Sequence, residues 1–198
     1  LDQNMKSGLW QKFQGVSLNE CSIGVIGLGD VGKAIAKRAT AFGMEVLGTD
    51  IRDVADGSIE HTVNIVGLDE LLSKTDFVTL NCTLSESSYH LIGNREFKLM
   101  KKTAYLINTC RGPVIDEIEL IKALEHKLIS GAALDVFAKE PLSKKSKLFD
   151  LDNVFLSPHI SGNFQEYQSV MIKQFNEMLL KFINNKPLKN RVCKKRLY

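Results

Sequence analysis

Cys21-Ser-Ile-Gly-Val-Ile-Gly-Leu-Gly-Asp-Val-Gly32, running on into Lys33-Ala-Ile-Ala-Lys-Arg-Ala-Thr-Ala-Phe-Gly43, decides how the rest of the chain is read. Ile23, Val25 and Ile26 predict a short buried strand. The segment from Asp30 to Phe42 predicts a helix whose apolar side is Val31, Ile35, Ala36, Ala39 and Phe42, at three- and four-residue spacing. Between strand and helix lies Gly27-x-Gly29-x-x-Gly32. The first glycine permits a tight turn, the second lets a pyrophosphate approach the backbone, and the third lets the helix pack closely on the strand. Free N–H groups at the helix start then face the phosphates, where the helix dipole favours negative charge.

The context strengthens this reading. Met44 to Thr49 predicts a second strand, and Asp50 stands at its end, 23 positions after Gly27. A carboxylate there accepts the hydroxyls of an adenosine ribose and repels the extra phosphate of NADP, so NAD is the expected cofactor. Arg52 follows closely and softens that preference.

The 198 residues, 44% of them hydrophobic and 25% charged, suit a globular domain with ample length for a core. A net charge of +3 is too small to imply nucleic acid, and the basic cluster Lys189, Arg191, Lys194, Lys195 and Arg196 reads as a solvated end. No apolar run approaches the roughly 20 residues of a membrane span. Cys21, Cys82, Cys110 and Cys193 lie far apart, which argues against a zinc site or disulfide framework and suits a reducing cytosol.

Residues 1–16 read as an arm from the middle of a longer protein, with Trp10 and Phe13 available to pack on this domain or on a partner. Residues 53–60 are turn-like, and His61–Val66 predicts a third strand. A short helix follows at Leu68–Ser73, then a fourth strand at Asp76–Leu80, a loop at Leu84–Gly93 and a helix at Arg95–Met100. Asn94 caps that helix, and Phe97 and Met100 turn inward. Thr103–Asn108 predicts the fifth strand. Asp116 caps a helix at Glu117–Lys127 with an Ile118, Ile121, Leu124, Leu128 stripe. Ile129–Val136 and Asn153–Leu156 predict the sixth and seventh strands, and Asn163–Ile183 the last long helix.

Strands alternating with helices imply a doubly wound parallel sheet of Rossmann type, an α/β fold in which ligands sit beyond the carboxyl ends of the strands. The distinctive polar groups do follow strands: Gly27–Gly32, Asp50, Asn81–Thr83, Thr109–Arg111, Asp135–Glu140 and His159. They are expected along one edge of the sheet. Residues 17–185 form the expected dinucleotide-binding domain, and 186–198 a basic tail.

From about Gly8 to Val192 the chain resembles the coenzyme-binding domain of the D-isomer-specific 2-hydroxyacid dehydrogenases. Asn108-Thr-Cys-Arg-Gly-Pro113 resembles the segment bearing that family's catalytic arginine, here Arg111. Leu134-Asp-Val-Phe-Ala-Lys-Glu-Pro141 resembles that of the glutamate, here Glu140. Ser157-Pro-His-Ile-Ser-Gly162 resembles that of the histidine, here His159. Ala138 and Ser161 depart from common family residues. The resemblance implies hydride transfer between NAD(H) and a D-2-hydroxy or 2-keto acid of glycerate, hydroxypyruvate, phosphoglycerate or lactate type.

The cofactor-binding candidates are Gly27, Gly29, Asp30, Val31, Gly32, Asp50, Asn81, Cys82, Thr83, Thr109, Cys110, Arg111, Asp135, His159, Ser161 and Gly162. Asp135 either orients the nicotinamide end or caps a loop. In the chemistry so implied, His159 supplies a proton to the developing alkoxide and Arg111 holds the carboxylate or carbonyl. Glu140, hydrogen-bonded to His159, favours the protonated ring.

The family's substrate-binding part, about a hundred residues before this domain, has no counterpart here, so the chain resembles a fragment, and inactivity in isolation is expected. A homodimer through residues 1–15 and a cytoplasmic location are implied, with no metal and no membrane. An NAD-responsive transcriptional corepressor is the alternative reading, because such relatives keep the same three residues.

Overall fold

The computed structural model describes residues 2–12, 14–52, 63–188 and 191. Phe13, the 53–60 turn, His61, Lys189, Lys194, Lys195 and Arg196 lie outside the described residues.

Seven parallel strands form one sheet: β1 Ser22–Ile26, β2 Glu45–Thr49, β3 Val63–Ile65, β4 Phe77–Leu80, β5 Tyr105–Asn108, β6 Gly131–Leu134 and β7 Val154–Leu156. Their order is β3-β2-β1-β4-β5-β6-β7. The order reverses between β1 and β4, where the two loops that leave these strands diverge and open a crevice. The described helices are α1 Asp2–Lys6, α2 Asp30–Ala41, α3 Leu68–Lys74, α4 Asn94–Leu99, α5 Glu117–Glu125 and α6 Tyr167–Ile183.

Alternation along β1 explains the two layers. Ile23 and Val25 join Leu28, Val46, Ala36 and Ala39 in a cluster beneath α2. Gly24 turns the other way, where Leu71 of α3 packs so closely that a β-carbon on residue 24 would lie 2.3 Å from its Cδ2. A larger cluster on α3, α4 and α5 holds Leu71, Leu72, Phe97, Leu106, Leu120 and Leu124. Each such side chain, fully buried, stabilises the fold by about 1.5–3 kcal/mol.

From β1 onward the order of strands and α-helices matches expectation, mostly with shorter bounds, and Phe97 and Met100 do turn inward. Three local expectations are corrected. Val31 and Phe42 are exposed, because α2 lies on the sheet through Gly32, Ala36 and Ala39, small residues that allow close approach. Ile118 is 67% exposed, and α5 buries Leu120, Ala123 and Leu124 instead. Asn94 does not cap α4. Gly93 occupies that position, its N–H donating to the Glu96 carboxylate at 3.1 Å, while Asn94 donates to Glu119. Asp116 does cap α5, accepting from the N–H groups of Ile118 and Glu119 at 3.1 and 3.2 Å. The α6 helix buries no side chain among the described residues.

Candidate functional site

The β1–α2 turn is shaped by its outer two glycines. Gly27 has φ 91°, in the left-handed region, and a β-carbon there would lie 2.7 Å from the Cys82 nitrogen. At Gly32 a β-carbon would lie 1.9 Å from the Gly27 carbonyl oxygen, so helix and strand approach as closely as the chain permits. Above Gly29 the space is open. The first intrahelical bond of α2 runs from the Lys33 N–H to the Gly29 carbonyl at 2.9 Å. The N–H groups of Asp30, Val31 and Gly32 therefore precede the helical ladder and are available to an anion. A cradle with a bare backbone wall fits a pyrophosphate.

Beside it lies a cleft of about 350 Å³, bounded by Gly27, Gly29, Asp50, Arg52, Asn81 and Cys82 among others. The Asp50 carboxylate accepts from the Leu28 N–H at 2.8 Å, and from the Arg52 N–H and guanidinium at 2.8–2.9 Å. The guanidinium holds the Asp50 carboxyl far below the usual carboxylate range; burial opposes this, and the two main-chain donors add to it. Asp50 is thus where a ribose acceptor is expected, but Arg52 shares its oxygens. Asn81 Oδ1, at the cleft wall, is buried without a hydrogen-bond partner among the described residues.

At the far end of the sheet, Asp135 follows β6 and is 2% exposed. One carboxylate oxygen accepts from the Ser157 hydroxyl at 2.6 Å and the Ile160 N–H at 2.9 Å, and the other accepts from the Ser161 N–H at 2.9 Å. Burial pushes the carboxyl up, but these donors outweigh it and hold it well below the ordinary value. Through these three bonds Asp135 caps the loop after β7. The turn so held carries His159 at φ 53°, a left-handed conformation that costs a non-glycine residue about 1 kcal/mol or more.

His159 Nδ1 lies 2.7 Å from Glu140 Oε2, and Glu140 Oε1 accepts the Phe137 N–H at 3.0 Å. The histidine contact and this N–H keep the Glu140 carboxyl below its ordinary value. The pair borders a hollow of about 660 Å³ walled by Phe137, Pro141, Leu142, Phe149, Leu156 and Pro158.

Arg111 leaves β5 on a turn tied by Asn108, which sequence reasoning missed. Asn108 Nδ2 donates to the Arg111 carbonyl at 3.1 Å, and its Oδ1 accepts from the Cys110 N–H at 3.0 Å. An asparagine closing a strand two residues before a backbone N–H it can cap is the signal that was available. Gly112 also went unremarked: a β-carbon there would lie 1.9 Å from the Phe137 carbonyl, so the arginine and glutamate loops touch through bare backbone. The Arg111 guanidinium donates to the Cys110 carbonyl at 2.5 Å and forms no hydrogen bond with Glu140 or His159 among the described residues.

The structure therefore joins Glu140 to His159 and sets Asn81, Cys82, Asp50 and the glycine turn around one cleft. Thr83 is exposed beside them, its carbonyl accepting the Ser88 hydroxyl at 2.7 Å. Thr109 is exposed at the end of β5, and Ser161 and Gly162 are exposed beyond His159. Among the described residues, no cluster of His, Cys, Asp and Glu is arranged to hold a metal ion, and no helix is long and apolar enough to cross a membrane.

The family model for the NAD-binding domain of the D-isomer specific 2-hydroxyacid dehydrogenases matches residues 1–161. A glyoxylate reductase of Korarchaeum cryptofilum is 38% identical over 187 residues, 91% of this chain and 56% of its own. The structure of a D-isomer specific 2-hydroxyacid dehydrogenase from Xanthobacter autotrophicus, in complex with NADPH and MES, superposes with a TM-score of 0.87 at 29% identity, covering 100% of this chain and 81% of the other. D-lactate dehydrogenase with NAD+ from Lactobacillus jensenii superposes at 0.84 with 27% identity, covering 98% and 62%. The chain spans a little over half the length of curated relatives such as these.

Proposed function

Because the chain belongs to the D-isomer specific 2-hydroxyacid dehydrogenases, through their NAD-binding domain, we propose that it serves hydride transfer between NAD(H) and a small D-2-hydroxy or 2-keto acid. The observation that carries this reading is the 2.7 Å His159–Glu140 contact on the same sheet edge as the glycine turn.

A nicotinamide cofactor held by the glycine turn and the Asp50 cleft would supply the hydride. The chain's own residues do the rest. His159, with Nδ1 turned to Glu140, presents Nε2 to the carbonyl oxygen and donates a proton there as the alkoxide forms. Glu140 fixes the ring's orientation through its contact with Nδ1. Arg111 offers charge-assisted, forked hydrogen bonds to the substrate carboxylate once its guanidinium leaves the Cys110 carbonyl. In the reverse direction the same nitrogen accepts the hydroxyl proton.

NAD is the preferred cofactor in this reading, supported by the Asp50 carboxylate at the end of β2. Solved relatives hold either NADPH or NAD, and the Arg52 guanidinium beside Asp50 is a charge that would favour a 2′-phosphate. A homodimer through the first residues is supported by Trp10, which is 76% exposed. A monomeric mass in solution counts against that assembly.

The deciding experiment follows NADH absorbance with glyoxylate, hydroxypyruvate and pyruvate in the longest native form of the protein. NADH binding to the 198-residue chain is the control. Turnover that His159→Ala abolishes supports the reading. Full reductase activity in that variant overturns it.

A further inference from the structure

The β4–β5 ladder ends on the pair Leu80 and Asn108. Two residues beyond this pair, just past the ends of the two strands, stand Cys82 and Cys110. Where they leave the sheet the two segments run about 4.8 Å apart, within the span of about 4.4–6.8 Å between α-carbons that a disulfide requires. The thiols do meet, Cys82 sharing a hydrogen bond with Cys110. Cys110 Sγ in turn donates to Asn108 Oδ1 at 3.1 Å. Both thiols are free, and both are partly buried against the main core cluster. Cys82 also lines the cleft beside the glycine turn.

We propose that Cys82 and Cys110 form a reversible oxidation site in the floor of the cofactor cleft, closing to a disulfide when hydrogen peroxide or an organic hydroperoxide reaches it. Cys110 is the attacking thiol. The hydrogen bond from Cys82 and the charge of neighbouring Arg111 favour its thiolate against the effect of burial, whereas Cys82 is held protonated. With hydrogen peroxide, Cys110 sulfur bonds to one oxygen, the O–O bond breaks, and the departing hydroxide takes up the thiol proton and leaves as water. Cys82 sulfur then attacks the sulfenic acid. The S–S bond forms, the S–O bond breaks, and a second water carries away the Cys82 proton. Two thiols lose two electrons and one peroxide becomes two waters.

The position links this chemistry to the cofactor, a step that rests on the function proposed above. The Cys82 backbone lies against Gly27, and Cys110 directly precedes Arg111, so the disulfide ties the nucleotide turn to the substrate anchor. A dinucleotide in the cleft covers Cys82 and slows its closure.

The test is thiol counting with peptide mapping on the 198-residue chain and its four cysteines after one equivalent of hydrogen peroxide. The expected result is loss of two thiols, a Cys82–Cys110 linked peptide, full recovery with dithiothreitol, and slower loss with saturating NADH. In Cys82→Ser, Cys110 is trapped by dimedone as the sulfenic acid. In Cys110→Ser, Cys82 stays reduced. Retention of all four thiols, or a linkage through Cys21 or Cys193, overturns the oxidation site. Failure of the reduced wild-type chain to bind NADH overturns the functional reading and leaves the disulfide measurement intact.

Discussion

The main-chain N–H of His159 donates to the carbonyl oxygen of Asp135 at 2.8 Å, while the Asp135 carboxylate gathers the donors of residues 157, 160 and 161. One buried residue after β6 thus fixes the backbone on both sides of His159. Asp135→Asn keeps the volume but points an amide N–H₂ at groups that are themselves donors. The expected cost is about 3 kcal/mol of stability, because a buried charged acceptor is lost and its partners go unpaired. Misplacement of the imidazole lowers kcat by about 10²-fold. Urea unfolding and NADH oxidation measure the two effects, and an unchanged kcat argues that the turn holds without the charge.

Acid should act through the same carboxyl and its neighbour. Asp135 and Glu140 are both held below their ordinary values of 3.8 and 4.5. A group whose folded value is depressed contributes stability that is fully present above its unfolded value and is lost as pH falls toward the folded one. Stability from these two groups is therefore level from about pH 8 to 5 and declines below about pH 4.5. Urea midpoints measured across that range should fall on acidification, less steeply in Asp135→Asn. A wild-type midpoint that rises on acidification contradicts the assignment.

Asp50 and Arg52 offer a test of cofactor choice. Arg52→Ala removes the two guanidinium bonds to Asp50, leaving the main-chain donors of residues 28 and 52, so each carboxylate oxygen gains room for a ribose hydroxyl while a nearby positive charge is lost. NADH should bind a few-fold more tightly and NADPH more weakly, widening the ratio by about tenfold, or 1.4 kcal/mol. Asp50→Ser should move the ratio the other way. Titrating nucleotide fluorescence against each variant reads both constants. A ratio that ignores both substitutions places the adenosine ribose elsewhere.

The features legible in the sequence were those whose cause is local. Gly27 and Gly32 announce a turn and a close approach through their missing β-carbons, and Asp116 announces a helix start by the N–H groups it can reach. Arg111, Glu140 and His159 fall after strands, and strand ends of a parallel sheet share an edge. The apolar faces of α2 and α5 were read less well. Ile118 and Leu120 differ by two positions, nearly opposite on a helix, and only the packed neighbours decide which of two apolar sides faces the sheet. Asn108 and Gly112 act on segments that are distant in sequence or recognisable only once the turn exists. Periodicity carries no information about such approaches. The same limit explains Asp135, whose partners lie 22 to 26 residues away.

Gly112 offers a test that separates the substrate end from the nucleotide end. A β-carbon on this residue would meet the Phe137 carbon and oxygen at 1.9 Å and the Ala138 nitrogen at 2.5 Å, all backbone atoms that no rotamer change can move aside. Gly112→Ala must therefore part the loops of Arg111 and Glu140, at a cost of about 1–3 kcal/mol or more. The β1–α2 turn lies at other strand ends and is untouched by this displacement. The expected outcome is a protein that still binds NADH with nearly wild-type affinity, while kcat/KM for the keto acid falls by about 10²-fold. Equal loss of both in a folded variant would mean that the two halves of the edge are mechanically coupled through β5, and that substrate anchoring and nucleotide binding share one conformational state.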